Sequence, residues 1–451
     1  MQRKITTAAL AGAMLAGITG TATAQDSTEL TELRARVAQL ETQSQGDWLT
    51  DARAEEVRGL VQEVLADADT RASLLQEGAL AGINEDGKVF LQSADGQFSM
   101  NIAGQIQFRY YLNSEDNRST SGISDETASG FELRRAKVKF SGTVADGWDY
   151  LVVLASSRTD GNTVAEDVVI GRDLGDGLSV KVGLFKLPFA RQELISSTRQ
   201  VAVDRGLTTE FFTLSRAEQI QLTYAADQYR VAVSISDGAN SGNSVIPNGA
   251  ATPTTTGSND FAVTARGDYL ISGEWNDGAD EFAGGDGVLL VGGAVHYETY
   301  DGGGTADSNV AWTVDGIWKQ DQYAISAAIF GSHVKNDVGG VDTDQYGYQV
   351  QGNVKIDDKW NVFARWEMID DDNFSGAADS DDFQAVTVGV NHHFNDNVKF
   401  TADVVWVYSG DDPTSNGGIL GGESSSGLGM QSGVTDDEDQ IAFRAQLQLL
   451  F

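Results

Sequence analysis

Cysteine is absent from this chain, and proline and histidine each occur only four times in 451 residues. Without a thiol there is no disulfide, no cysteine nucleophile and no thiolate metal site. The histidines are His296, His333, His392 and His393. The adjacent pair in "NHHF" falls in a strand-like stretch, where neighbouring side chains face opposite ways, so its rings cannot readily share an ion. No GxSxG, HExxH or phosphate-cradling glycine loop occurs. The acidic stretches do not follow the spacing of a calcium loop. We therefore expect no enzyme activity, and assign no catalytic residue, cofactor or metal ligand.

Positive charge is also scarce. Lys and Arg number 31 against 66 Asp and Glu, for a formal charge of -35, which argues against binding to a nucleic-acid backbone. Beyond residue 24 no apolar run reaches the roughly 18 residues of a transmembrane helix. What the chain has in abundance is glycine, 51 residues. Much glycine and little proline suits long strands joined by tight turns, because proline cannot sit inside a sheet.

Three regions follow from the patterning. Residues 1–24 have the three parts of a secretory signal peptide: Arg3 and Lys4, the apolar "AALAGAMLAGI", and small residues before a cut after Ala24. Residues 25–80 read as helical. Leu30, Leu33, Val37 and Leu40 keep heptad spacing, and Val57, Leu60, Val61, Val64 and Leu65 form one stripe of a second helix. This segment is expected to be a periplasmic coiled coil, serving as an oligomerisation stalk or a tether to peptidoglycan, or else a polar spacer. Residues 81–451 form the third region, and from residue 88 onward the period is two. In the closing "IAFRAQLQLLF", Ile441, Phe443, Ala445, Leu447, Leu449 and Phe451 share one parity, whereas Arg444, Gln446 and Gln448 share the other. "QFSMNIAGQIQFRYYL", "YRVAVSIS", "YGYQVQGNVKI" and "VKFTADVVWVY" behave likewise.

The connections alternate in length. Short ones fall at 145–147, 174–177, 225–228, 319–322, 357–359 and 395–397; long polar ones fall near 113–130, 190–215, 239–258, 300–308, 334–343, 371–381 and 409–437. Only 272–287 breaks the rhythm, with about sixteen residues where a short turn belongs, so the turn is elaborated or the strand count is off by a pair. About sixteen strands with this rhythm predict an all-β fold, a transmembrane antiparallel β-barrel in the bacterial outer membrane. Backbone groups in lipid are satisfied only by helices and closed barrels. A soluble sandwich or propeller explains the alternation but not the rhythm.

"GQIQFRYY" (104–111), "GFELRRAKVKFSG" (130–142) and "LGDGLSVKVGLFKLPFARQELISSTRQ" (174–200) resemble the phosphate-selective porin O and P family. The resemblance implies a sixteen-stranded homotrimeric barrel whose third long loop folds into the pore, and a terminal phenylalanine, here Phe451, read by the barrel-assembly machinery. A channel needs inward charges at a narrow place. With the apolar parity facing lipid, the inward cations are Arg109, Arg135, Lys137, Lys139, Lys181 and Arg230, followed along the chain after Lys181 by Lys186 and by Arg191, Arg199 and Arg205 of the third long loop. Further inward cations by parity are Arg266, Lys319, Lys355, Arg365, Lys399 and Arg444. The expected function is passive conduction of small hydrophilic solutes through a basic constriction favouring anions, phosphate among them. If these cations instead neutralise Glu166, Asp268, Glu298, Asp315, Glu367 and Asp403, the pore is weakly selective. The other reading is a structural envelope protein, anchored by the barrel and gripping the cell wall through 25–80.

Overall fold

The computed structural model describes residues 32, 35, 36, 80–84, 88–115, 127–145, 147–157, 161–239, 258–284, 287–301, 306–336, 342–371, 382–409 and 440–451. The chain divides into two units, Met1–Gly78 and Ala79–Phe451. In the first, Glu32, Ala35 and Arg36 are helical and exposed. The expected signal peptide, the rest of the helical segment and most of the acidic long connections lie outside the described residues.

The second unit opens with a hairpin of β1 (Leu80–Ile83) and β2 (Val89–Gln92), and β2 pairs with the start of β3. From β3 (Ser99–Glu115) each strand pairs antiparallel with the next. These are β4 (Thr127–Val144), β5 (Trp148–Ser156), β6 (Thr163–Gly175), β7 (Leu178–Lys186), β8 (Arg216–Ala225), β9 (Tyr229–Ser236) and β10 (Ser258–Ser272). There follow β11 (Val288–Asp301), β12 (Ala306–Gln320), β13 (Tyr323–Asn336), β14 (Thr343–Lys355), β15 (Trp360–Asp371), β16 (Phe383–Asn395), β17 (Val398–Ser409) and β18 (Gln440–Leu450). β18 returns to β3 in the register Gln440↔Glu115 to Leu450↔Gln105, which closes a barrel of sixteen strands, β3 to β18. The elaborated connection 273–287 is a single turn between β10 and β11, so the irregularity conceals no missing pair of strands.

Alternation decides which face each residue meets. On β18, Ile441, Phe443, Leu447 and Leu449 are exposed on the outer surface, while Arg444, Gln446 and Gln448 are buried inside. Lipid takes the first set without cost, and the interior supplies hydrogen-bond partners for the second. Trp148, Tyr229, Trp318, Trp360 and Trp406 lie on the outer face near strand ends, the depth at which amphipathic rings sit in a bilayer. Tyr111 is different: its register partners are Gly130 and Arg444, so it faces inward. His392 packs against Trp360 in a tilted arrangement with ring centres 4.3 Å apart, and His393 meets Phe282 at 5.1 Å, so the two rings of "NHHF" serve opposite faces.

The seam between first and last barrel strands ends on Phe451. Its N–H donates to Gly104 O at 3.1 Å, and the Gly104 N–H donates to Phe451 O at 2.6 Å. A Cβ on Gly104 would stand 2.0 Å from the Phe451 ring, so only glycine lets the ring lie across the backbone there.

Two connections fold inward. The third long loop, 187–215, counted on the long-loop side after the β3–β4 and β5–β6 connections, carries two short helices, α1 (Arg191–Leu194) and α2 (Leu207–Phe212). Its Leu187, Phe189, Leu207, Phe212 and Leu214 pack on inward-facing Phe330, Ile369, Phe383, Val405 and Val407. Apolar side chains therefore occur on the inner face where the loop covers the wall. The turn 273–287 supplies Phe282, which packs with Val201 and Ala202 of the loop and Phe363 of β15.

Candidate functional site

The third long loop is held by polar contacts spread around the wall. The Gln105 amide donates to Ser197 Oγ at 3.0 Å, and the Gln448 amide to Thr198 O at 3.2 Å. Lys399 donates to Gln200 O at 2.7 Å, Asn391 to Val201 O at 2.8 Å, and the Thr208 N–H to Glu367 at 3.1 Å. Because these partners lie on β3 and on β15 to β18, the loop covers that part of the interior.

Asp204 is the hub of the loop and has no solvent exposure. Its carboxylate accepts from Arg109 Nη1 at 3.0 Å, Arg134 Nε at 2.8 Å and Arg135 Nη2 at 2.9 Å. Arg134 and Arg135 are consecutive, yet both turn inward, because the β3–β4 register slips between Gln107 and Phe108 and Arg134 is the extra residue. A bulge of this kind re-aims a side chain against the strand's alternation. Burial by itself would raise the Asp204 carboxyl. The guanidiniums of Arg134, Arg135 and Arg109 overcome it and hold the group well below the usual carboxylate range.

On the other side of the loop lies a cavity of about 1580 Å³, walled mainly by β3 to β9. Its lining runs from the short-turn rim (Gly177, Ala225, Asn397, Phe451) to the level of Arg134 and Arg205. Thirteen cationic side chains line it against five acidic ones, Asp149, Glu166, Asp167, Asp173 and Asp268. One of the thirteen, Arg172, sits at the rim over the outward Trp148 ring, 4.9 Å from its centre. The remaining excess of seven positive side chains stands in a protein of formal charge -35.

The ten sequence-predicted pore residues fall into distinct groups. Lys139, Lys181 and Arg199 are exposed in the cavity, and among the described residues none of them has an ion-pair partner. Lys139 of the wall stands within electrostatic range of Arg199 on the loop and of Lys88 at the hairpin. Lys137 pairs with Glu166 at 2.6 Å, Arg205 with Glu210 at 2.9 Å and Arg135 with Asp204, while Lys186 donates to Glu193 O; all four border the cavity. Arg230 lines it with its guanidinium 4.0 Å from the Trp275 ring centre. Arg109 and Arg191 are inward-facing but off the cavity. Arg109 is fully buried between Asp204 and Glu132. Arg191 binds Asp315 at 2.9 Å and Asp268 at 2.7 Å.

Of the further inward cations, Arg365 pairs with Glu367, Arg444 with Asp403, Lys319 with Asp280 and Lys355 with Asp358. Arg266 pairs with Asp268 and Asp315 but also reaches the cavity, and Lys399 lies over the Phe282 ring. Neutralisation by facing carboxylates thus describes most of the loop-covered wall and, in the cavity, Arg134, Arg135, Lys137, Arg205 and Arg216, but not Lys139, Lys181 and Arg199. Sequence reasoning passed over Asp204, Arg134, Arg216 and Lys88. Arg216 was legible as the first charge after the loop, and it pairs with Asp167 at 2.7 Å. The role of Asp204 depends on where the loop folds and leaves no local signal.

The sequence profile of the family described as phosphate-selective porin O and P matches residues 105–432. No curated protein sequence matches the chain. Among solved structures, the outer membrane channel DcaP of Acinetobacter baumannii is 13% identical, with 78% of this chain and 97% of that chain covered and a TM-score of 0.50. The outer membrane protein OmpT of Vibrio cholerae, in its trimer form, is 14% identical over 78% of this chain and 99% of that one, also at 0.50. OmpF of Salmonella typhi, in complex with daunomycin, is 14% identical over 78% and 98%, at the same score. At these identities the structural likeness speaks for the fold. The profile spans well over half of the chain, along the strands and loop that form the cavity, and the protein belongs to the phosphate-selective porin O and P family of outer-membrane porins.

Proposed function

We propose that this porin conducts small hydrophilic solutes passively and favours anions, along a path that follows the β3–β9 wall. The observation that carries the reading is the cavity's positive excess, with Lys139, Lys181 and Arg199 exposed and free of ion-pair partners among the described residues. Unpaired ammonium and guanidinium groups in a confined space act on a passing ion with little of the screening that surface charges meet. Phosphate is the natural member of the class to test. The family name suggests it, and several cations on facing walls suit its charge-assisted contacts.

The test is the reversal potential of the protein in a planar bilayer across a chloride gradient, with phosphate then added. Anion-selective sign, reduced in the triple variant Lys139→Ala, Lys181→Ala, Arg199→Ala, is the expected result. Equal potentials in the two proteins would sink the reading. Block of chloride current by phosphate would extend it to phosphate; without block the pore is a general anion-preferring one.

The same reading includes a homotrimer, in line with the Vibrio cholerae neighbour described in trimer form. It also includes export through a leader removed after Ala24, insertion by the barrel-assembly machinery through Phe451, and a periplasmic role for 25–80. Removing 25–80 should leave conductance intact. Loss of cell-wall association in that deletion would mark the segment as a peptidoglycan tether.

A further inference from the structure

The turn 273–287 enters the barrel from the end opposite to the long loops and is fastened to both the wall and the third long loop. On the wall side, Asp280 accepts from buried Lys319 Nζ at 2.7 Å. Asn353 donates to Glu281 O at 2.6 Å and accepts from the Ala283 N–H at 2.8 Å. On the loop side the contact is made by Glu281, itself buried. One carboxylate oxygen accepts from Gln192 Nε2 at 2.7 Å, and the other accepts from the Val201 N–H at 2.9 Å. The Glu281 N–H donates to Arg199 O at 3.1 Å. Gln192 passes the constraint on, since its Oε1 accepts from the Gly206 N–H at 2.9 Å. Phe282 adds an apolar wedge against Val201 and Ala202.

We propose that Glu281 is a positioning residue of the pore: from the turn side it braces residues 192–206 of the loop and so sets where Arg199 stands in the cavity. Arg199 has no side-chain ion pair among the described residues, so its backbone attachment is what locates its charge. The proposal rests on the anion-preference reading only for its effect on selectivity; the brace itself has an independent readout.

The natural absence of cysteine provides that readout. Val201 is fully buried beside the brace, so Val201→Cys in the full-length porin should resist a water-soluble thiol reagent. Adding Glu281→Ala should speed its modification by about tenfold or more, the consequence of losing two charge-assisted hydrogen bonds. Glu281→Gln, which retains one acceptor, should fall between the two and serves if the alanine variant does not fold. An unchanged modification rate in both variants overturns the brace. Selectivity then separates the remaining cases. If Arg199→Ala lowers anion preference and Glu281→Ala lowers it equally, with no further loss in the double variant, Glu281 acts through Arg199. If Arg199→Ala lowers it and Glu281→Ala leaves it unchanged, the positioning of Arg199 is refuted. If thiol reactivity rises while Arg199→Ala has no effect on selectivity, the brace stands and the reading of Arg199 as a selectivity charge fails.

Discussion

Asp204→Asn should release the third long loop while leaving the barrel closed. The substitution keeps the shape of the side chain and removes the one charge shared by Arg109, Arg134 and Arg135. Breaking a buried ion pair by removing one partner costs about 3–5 kcal/mol, because the other charge stays buried. Here three guanidiniums are left to repel one another, with Glu132 beside Arg109 as a remaining carboxylate. The strand ladder does not involve Asp204, so the cost falls on loop docking. It amounts to roughly a hundred- to a few thousand-fold in the docked-to-released ratio, at about 1.4 kcal/mol per factor of ten. Limited proteolysis within 187–215 reads the released population, and single-channel current noise reads it independently. The sign of the pH effect follows from the depressed carboxyl of Asp204. Its contribution is complete above the unfolded-state value of about 3.9 and is lost only as pH falls through the lower folded value. Loop protection should thus be flat from pH 7 to about 5 and fail only in stronger acid. Cleavage and noise in Asp204→Asn indistinguishable from wild type would refute the assignment of Asp204 as the hub.

Arg109→Ala should lower thermal stability but alter reversal potential less than Arg199→Ala, because Arg109 is buried between two carboxylates while Arg199 is exposed in the cavity; a larger selectivity change in Arg109→Ala would contradict the placement of the path. Gly104→Val should reduce the folded, fast-migrating band on unheated gels after refolding in detergent, since the new Cβ meets the Phe451 ring. Phe451→Ala should rescue that refolding, and failure to do so would locate the defect elsewhere. Trp275→Ala should uncover the Arg230 guanidinium and raise anion preference slightly, with no change in thermal stability beyond about 1 kcal/mol, the scale of an exposed cation–π contact.

What could be seen in the sequence was what repeats. Alternation in "IAFRAQLQLLF" gives a lipid face and a wet face whatever the rest of the chain does, and the rhythm of short and long connections gave the barrel and the position of its third long loop. Parity also told which cations face inward. It could not tell which of them meet water, since that depends on what the loop covers. Arg109 and Lys181 have the same signature, yet one is sealed under Asp204 and the other is open. Parity failed at Arg134, where a bulge puts two neighbours on one face, and at Phe330, Val405 and Val407, apolar but inward because the loop lies on them. Tertiary contact overrides a local pattern in each case, and nothing within a few residues announces it.

The distribution of charge follows the same division. The connections 116–126, 372–381 and 410–439 hold thirteen Asp and Glu against the single Arg118. These connections belong to the long side, which faces outward in an outer-membrane barrel. The cavity reaches the opposite, short-turn rim with its positive excess. Inside, the balance is decided by geometry more than by composition. On the covered side Arg365 and Arg444 of the wall are met by Glu367 and Asp403, and Arg266 of the wall and Arg191 of the loop are met by Asp315 and Asp268, so burying them leaves little unpaired charge. On the open wall, Lys139 and Lys181 have no such partners among the described residues, and the loop adds Arg199 opposite them. The inward fold of 187–215 therefore does two things at once. It hides the balanced half of the barrel and narrows the unbalanced half. A protein with more than twice as many acids as bases thereby presents a basic surface to a solute in its cavity.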